Sequence, residues 1–122
     1  MISYATYKIL HIFGIIMMFV ALGGATVHAA SGGTRTPLTR KLVGGLHGAG
    51  ALISLIGGFG TLARLGITSG LPGWVIVKIA LWALLAGLIA VPYRKPSTAV
   101  AFAVLLPFIG LIAVYLAIVK PF

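Results

Sequence analysis

Apolar residues dominate four long stretches of the chain, and short polar segments separate them. A membrane-spanning helix needs about 20 mostly apolar residues. Four segments approach or exceed this length, at residues 5–30, 42–65, 74–91 and 97–119. The connections are short and rich in turn residues, so neighbouring helices are expected to lie side by side in opposite directions. The pattern predicts an all-α, integral membrane four-helix bundle with up-down-up-down topology, formed as a single domain.

The composition supports a bilayer rather than water as the solvent. Hydrophobic residues make up 61% of the 122 residues and charged residues only 7%, whereas average soluble domains carry about 25% charged residues. Such a chain has too little polar surface to cover a water-soluble globule. We therefore expect a multi-pass membrane protein, and a bacterial inner membrane is its expected location.

The charged residues all have the same sign. The chain has no Asp or Glu, and its nine Lys and Arg residues give a formal net charge of +9. These cations lie in short loops and at the ends of apolar runs, so they do not form the basic patch of a nucleic-acid-binding protein. Membrane lipids are the simpler partner, and an acidic protein subunit is the alternative. Without carboxylates or Cys, this chain alone cannot build a carboxylate general base, a Ser-His-Asp triad or a thiolate site.

The distribution of the cations predicts an orientation. The side with the first and third loops holds Arg35, Arg40, Lys41, Arg94 and Lys95, and the other side holds Lys8, Arg64, Lys78 and Lys120. Lys8 and Lys78 lie inside apolar segments and are set aside. The positive-inside rule then places the first and third loops in the cytoplasm and both termini on the non-cytoplasmic side.

Small and polar residues recur along the second helix at spacings of three or four. The face contains Gly44, His47, Gly48, Ala51, Ser54 and Gly58. Small residues let helices approach closely in a membrane, where burial of Leu gives no driving force. Two interpretations stay open: a face for tight helix packing, or a flat groove for a planar ligand such as a tetrapyrrole.

Three ionisable residues are expected to share one depth in the membrane. With the chain folded at its three loops and a rise of about 1.5 Å per residue, Lys78 falls level with Lys8 and about 5 Å in depth from His11. Lys8 and His11 are three residues apart and share a helix face. The three residues are therefore predicted to form one polar layer. The alternative is that both lysines simply extend to the headgroups.

The other histidines lie at different depths. His47 is about 18 Å in depth from His11, so these two candidate haem-iron ligands cannot share one iron within a bundle. His28 and His47 differ by about 7 Å, a gap that helix tilt would have to close for bis-His ligation. Arg40 and Lys41, one to two turns from His47, could hold haem propionates. Alternatively, His28 is interfacial and His47 donates a hydrogen bond to a neighbouring carbonyl.

Short segments of the helices resemble a known group of membrane proteins. Tyr7–Ile12 reads YKILHI, a basic pair precedes His47 in the second helix, and Gly73–Lys78 reads GWVIVK. Together they resemble small four-helix membrane proteins of the SirB-like type and, more distantly, the HemJ-type protoporphyrinogen oxidases. In the HemJ type, a first-helix His and a third-helix Lys are linked to haem and activity, and those positions match His11 and Lys78. The chain departs from that pattern in being short and in lacking every acidic residue.

These features lead to two functional hypotheses. The leading one is a non-catalytic accessory subunit, assembled with other membrane-protein subunits in a bioenergetic or transport complex, because the chain lacks acid-base groups and has glycine-rich faces. The rival is a protein that binds haem b or another tetrapyrrole, with electron-transfer or oxidase activity, based on its helix-borne histidines and Lys78. A small transporter is less attractive, since few polar groups are present to line a translocation path.

Overall fold

A computed structural model describes residues 2–32, 37–67 and 69–120, and within these ranges the chain is helical and contains no β-strand. The helices are α1 (Tyr4–Ala30), α2 (Pro37–Arg64), α3 (Gly73–Leu88), the single turn α4 (Val91–Arg94) and α5 (Ala99–Val119), with a 3-10 turn at Pro96–Thr98. Among the described residues, four helical segments are long and apolar enough to cross a membrane: Tyr4–Ala30, Pro37–Arg64, Gly73–Arg94 and Pro96–Val119. The prediction of an all-helical chain with four long apolar helices is confirmed, although α2 begins at residue 37 rather than 42.

Local hydrogen bonds explain where α1 begins and where α2 ends. The Ser3 side chain accepts a hydrogen bond from the Thr6 backbone N–H at 3.2 Å and caps the start of α1. Gly66 adopts a φ of +81° just beyond α2, a conformation that glycine reaches without strain. The N–H of the next residue, Ile67, then donates to the carbonyl of Leu62 at 3.0 Å. This arrangement satisfies a free carbonyl at the helix end and turns the chain toward α3.

The α1 and α2 helices pack with their backbones in direct contact. Gly14, Gly50 and Gly57 are all buried between them. A Cβ atom added at Gly50 would lie 2.7 Å from the Gly14 carbonyl oxygen, and one added at Gly57 would lie 2.8 Å from the Tyr7 carbonyl oxygen. Only glycine permits this approach. Among the described residues, this interface is the most extensive helix pairing, as expected where small residues drive association in lipid.

The buried face of α2 differs from the predicted one. His47 and Ser54 are buried as expected, but Gly44 and Gly48 are exposed, and a Cβ added at either would meet no described atom within 4 Å. The buried positions are Val43, His47, Gly50, Ser54, Gly57 and Leu62. The first five alternate in steps of four and three, because two long helices in contact along their length follow a seven-residue repeat.

α1 lies at the centre of the molecule and contacts α2, α3, α4 and α5. Its Met18 and Leu22 pack in a core with Leu85 of α3 and three residues of α5, Phe102, Leu106 and Ile109. Large apolar side chains cover the outside, and Ile9, Val27, Leu38, Val100 and Ile118 are all exposed. A surface of this kind is suited to lipid.

Candidate functional site

A cavity of about 820 Å³ lies between α1, α2, α3 and α5. It is lined by the first two-thirds of α1, by most of α3, and by the later turns of α2 and α5. Its walls are mostly apolar, and α5 contributes the small residues Gly110, Ala113 and Ala117, which leave space between the helices. The volume falls within the range of about 300–1,000 Å³ found for small-molecule sites.

His11 lines this cavity and is held in one orientation by α2. Its Nδ1 lies 2.7 Å from the backbone carbonyl oxygen of Ser54. Because a carbonyl only accepts hydrogen bonds, Nδ1 carries the proton and Nε2 keeps its lone pair. No described residue forms a hydrogen bond with Nε2. An imidazole fixed through one nitrogen by a carbonyl is the usual arrangement of a metal-ligating histidine.

A glycine makes room for this ring. A Cβ atom added at Gly58 would lie 3.0 Å from Nδ1 and 3.1 Å from Cε1 of His11. Real Cβ atoms rarely approach so closely, so any larger residue at this position would displace the imidazole. Gly58 and Ser54 are four residues apart on α2, and together they fix the ring from one side.

Two lysines at the mouth of the cavity are held against aromatic rings. The Lys8 ammonium donates to the Tyr4 hydroxyl at 3.2 Å, and the Lys120 ammonium lies 5.5 Å from the centroid of the Trp74 ring. Both contacts leave the ammonium groups exposed, and all four residues line the cavity. Neither lysine has an acidic side chain to pair with, because the chain contains none.

Lys78 has no partner at all among the described residues. Its side chain is half-buried in the cavity wall and makes no hydrogen bond or ion pair there. It lies close enough to Lys8 and Lys120 for their charges to repel, and it also lies near His11. A half-buried cation surrounded by other cations is unfavourable unless an anion approaches it. The cavity is therefore suited to a mostly apolar ligand with a negatively charged group.

Trp82 and Lys120 belong to this site but were not singled out from the sequence. The Trp82 Nε1–H donates to the Ala51 carbonyl at 3.0 Å and ties α3 to α2 beside the cavity. Trp82 follows Lys78 by four residues, so helical spacing alone would have placed both on one face. The same depth estimate that pairs Lys78 with Lys8 places Lys120 level with residue 70, near Trp74.

The remaining candidates lie at the other end of the molecule. His28 Nδ1 is hydrogen-bonded to the Tyr93 hydroxyl at 2.7 Å, and the Arg40 guanidinium carbon lies 4.5 Å from the centroid of the Tyr93 ring. Lys41 is exposed beside Arg40 on the first turns of α2. His28 is 17 residues from His11 along α1, or about 25 Å. None of His28, Arg40 and Lys41 lines the His11 cavity.

His47 is buried between these two ends and already has a hydrogen-bond partner. Its Nε2 lies 3.0 Å from the Leu85 carbonyl oxygen and donates a proton to it. That bond holds the imidazole through Nε2 and connects α2 to α3. Within the described residues, no group of three potential metal-ligating side chains comes together. The structure thus leaves His11 as the histidine with an uncommitted nitrogen in a cavity.

Comparisons of the chain with protein-family models, with curated proteins and with solved structures found no match. The chemistry of the cavity is therefore the basis for assigning a function.

Proposed function

We propose that this chain is a multi-pass membrane protein that binds haem b, or a closely related tetrapyrrole, in the cavity beside His11. The observation that carries the proposal is the His11 imidazole, whose Nδ1 is committed to the Ser54 carbonyl at 2.7 Å. This leaves Nε2 as the free nitrogen of a side chain that lines a cavity of about 820 Å³. Neutral imidazole nitrogens of this kind are the common axial ligands of haem iron.

The chemistry of the cavity fits each part of a haem. The macrocycle is flat and apolar, and the cavity has mostly apolar walls that include the aromatic rings of Trp74 and Trp82. The two propionates are anionic, and Lys78 is a half-buried cation that lacks a partner among the described residues. The resemblance of His11 and Lys78 to the HemJ-type positions agrees with this assignment. Bound haem would supply redox chemistry, and electron transfer is favoured over catalysis because this chain lacks carboxylates.

The membrane part of the proposal rests on the four long apolar helices. The cavity meets the first part of α1 and the last part of α2, which supports opposite directions for these two helices in an up-down-up-down path across a bilayer. In this arrangement both termini share one side, and the positive-inside rule places the Tyr93 end in the cytoplasm. A bacterial inner membrane is the proposed location.

The test is an absorption spectrum of the mildly solubilised protein, titrated with haemin and then reduced with dithionite. We expect a Soret band that saturates at one haem per chain and α and β bands that sharpen on reduction. His11→Ala should abolish saturable binding, and added imidazole should restore the spectrum by occupying the vacated ligand position. His28→Ala is the matched control, since that ring lies about 25 Å away along α1. An unchanged spectrum and affinity in His11→Ala would contradict the proposal.

A second candidate function is an accessory subunit of a larger membrane complex. The observation that favours it is the exposed face of α2 at Gly44, Gly45 and Gly48, where an added Cβ meets no described atom within 4 Å. Glycines with such free space permit another transmembrane helix to approach closely. We expect Gly44→Leu to release partner subunits on a native gel, whereas Ala101→Leu, on the exposed surface of α5, should not. Purification of the unmodified protein as a lone monomer would argue against this function.

A further inference from the structure

We infer that the end of the molecule opposite the His11 cavity binds one anionic phospholipid, and that the Arg40 guanidinium contacts its phosphate. This site is separate from the proposed haem site. It is built around Tyr93 of α4, which packs against the last turns of α1 and the first turns of α2.

The Arg40 side chain is held by an aromatic ring and not by an ion pair. Its guanidinium carbon lies 4.5 Å from the centroid of the Tyr93 ring. That ring is a fixed platform, because it is only 8% exposed and its hydroxyl is hydrogen-bonded to His28 at 2.7 Å. The described residues offer Arg40 no hydrogen-bond acceptor, and the chain contains no acidic side chain. The guanidinium is thus oriented while its N–H donors remain available to a ligand.

The chemistry around Arg40 selects a phosphate group. A planar guanidinium matches the oxygens of a phosphate with two parallel hydrogen bonds, which a lysine cannot reproduce. Three further exposed cations lie next to Arg40 or directly after Tyr93 along the chain: Lys41, Arg94 and Lys95. With no carboxylate to offset them, these groups favour an anionic headgroup over a zwitterionic one.

The exposed apolar residues on the first turns of α2 point to a lipid rather than to free phosphate. Leu38 and Leu42 are one helical turn apart on a shared face of α2, and they are 81% and 71% exposed. Large apolar side chains so fully exposed at the start of an apolar helix are suited to contact with acyl chains. A phospholipid would place its phosphate on Arg40 and its chains along α2.

The test is native mass spectrometry of the full chain in detergent, titrated with dioleoylphosphatidylglycerol and, separately, with dioleoylphosphatidylcholine. We expect the first phosphatidylglycerol to bind about tenfold more tightly than phosphatidylcholine. Arg40→Gln should remove that preference, since one charge-assisted contact is worth roughly a factor of ten. Lys95→Gln is the matched control, because it removes the same charge and leaves the stacking of Arg40 on Tyr93 intact. It should lower the affinity for phosphatidylglycerol by less than threefold.

Two further variants separate a built site from a diffuse positive surface. Arg40→Lys keeps the charge but loses the planar fork, so it should behave like Arg40→Gln. Tyr93→Leu should also lose the preference, whereas Tyr93→Phe, which keeps the ring, should retain most of it. The inference would be overturned if Arg40→Gln and Lys95→Gln lowered the affinity for phosphatidylglycerol equally. It would also be overturned if Arg40→Lys kept the full affinity. Displacement of the lipid by inorganic phosphate would overturn it as well, by showing that the acyl chains contribute nothing.

Discussion

The two ends of the molecule carry similar charges but hold them in opposite ways. At the His11 end, Lys78 lines a cavity, has no hydrogen-bond or ion-pair partner among the described residues, and lies near other cations. At the Tyr93 end, Arg40 lies on the outside of a packed cluster, against an aromatic ring. The difference follows from the side chains that fill the space between helices. Small residues of α5 leave a void at one end, whereas Tyr93 packs against α1 and α2 at the other. Under the two proposals, local packing decides whether a cation of this chain binds a ligand inside the molecule or a lipid on its surface.

The largest effect is expected from a substitution in the α1–α2 interface, because both ends of the molecule depend on it. Gly50→Ala would place a Cβ atom 2.7 Å from the Gly14 carbonyl oxygen, and overpacking of this kind costs about 3 kcal/mol. We expect loss of haem binding and of phosphatidylglycerol preference together, with a clear drop in thermal stability in detergent. Gly45→Ala makes the same chemical change where no described atom lies within 4 Å, and it should leave all three properties intact. Similar melting curves for the two variants would contradict the α1–α2 interface.

A second substitution should affect the His11 end alone. Gly58→Ala would place a Cβ atom 3.0 Å from His11 Nδ1, so the ring must tilt away from its position under the Ser54 carbonyl. We expect roughly a tenfold weaker haem affinity, equivalent to about 1.4 kcal/mol. Phosphatidylglycerol binding, measured on the same preparation, should not change. If Gly58→Ala weakened the binding of both haem and phosphatidylglycerol, the two ends would be coupled through α2.

Removing the charge at each end should change the stability of the ligand-free protein in opposite directions. Lys78→Met removes a half-buried cation that has no partner among the described residues, and such replacements are neutral or stabilising, here by about 1 kcal/mol. The same variant should bind haem more weakly, because it no longer attracts a propionate. Thermal melts with and without haem would show both effects. A destabilised ligand-free Lys78→Met would indicate that the lysine has a structural role.

The corresponding change at the Tyr93 end has the smallest expected effect. Arg40→Met removes a cation that stacks on an aromatic ring at an exposed site, and such contacts contribute about 0.5–1 kcal/mol. We expect a small decrease in thermal stability, opposite in sign to Lys78→Met. Lys41→Met, one residue further along α2, is the matched control and should have no measurable effect. If Arg40→Met raised the thermal stability as Lys78→Met is expected to do, the proposed difference between the cations at the two ends would be wrong.

The sequence predicted the elements well because membrane helices are recognised by length and hydropathy alone. His11 and Lys78 line the same cavity, and a count of residues with the fixed rise of an α-helix predicts that they share one depth. The packing face of α2 could not be predicted from the sequence. That helix carries glycines on several faces, and residue spacing alone does not decide which face meets α1 and which meets lipid. The contacts of Trp82 and Tyr93 could not be predicted either, because their partners, a backbone carbonyl of α2 and the His28 ring, come from distant parts of the chain.

The contact between α1 and α2 also has a consequence for the order in which the protein assembles. The two helices are consecutive, and their pairing is far more extensive than that of α3 or α5 with any other helix. Contacts between neighbouring segments form early, because little chain entropy is lost in bringing them together. A hairpin of α1 and α2 can therefore form during synthesis, before α3 and α5 have left the ribosome. His11 would already be oriented by Ser54 at that stage, and a pigment could enter from the side before the later helices close over it.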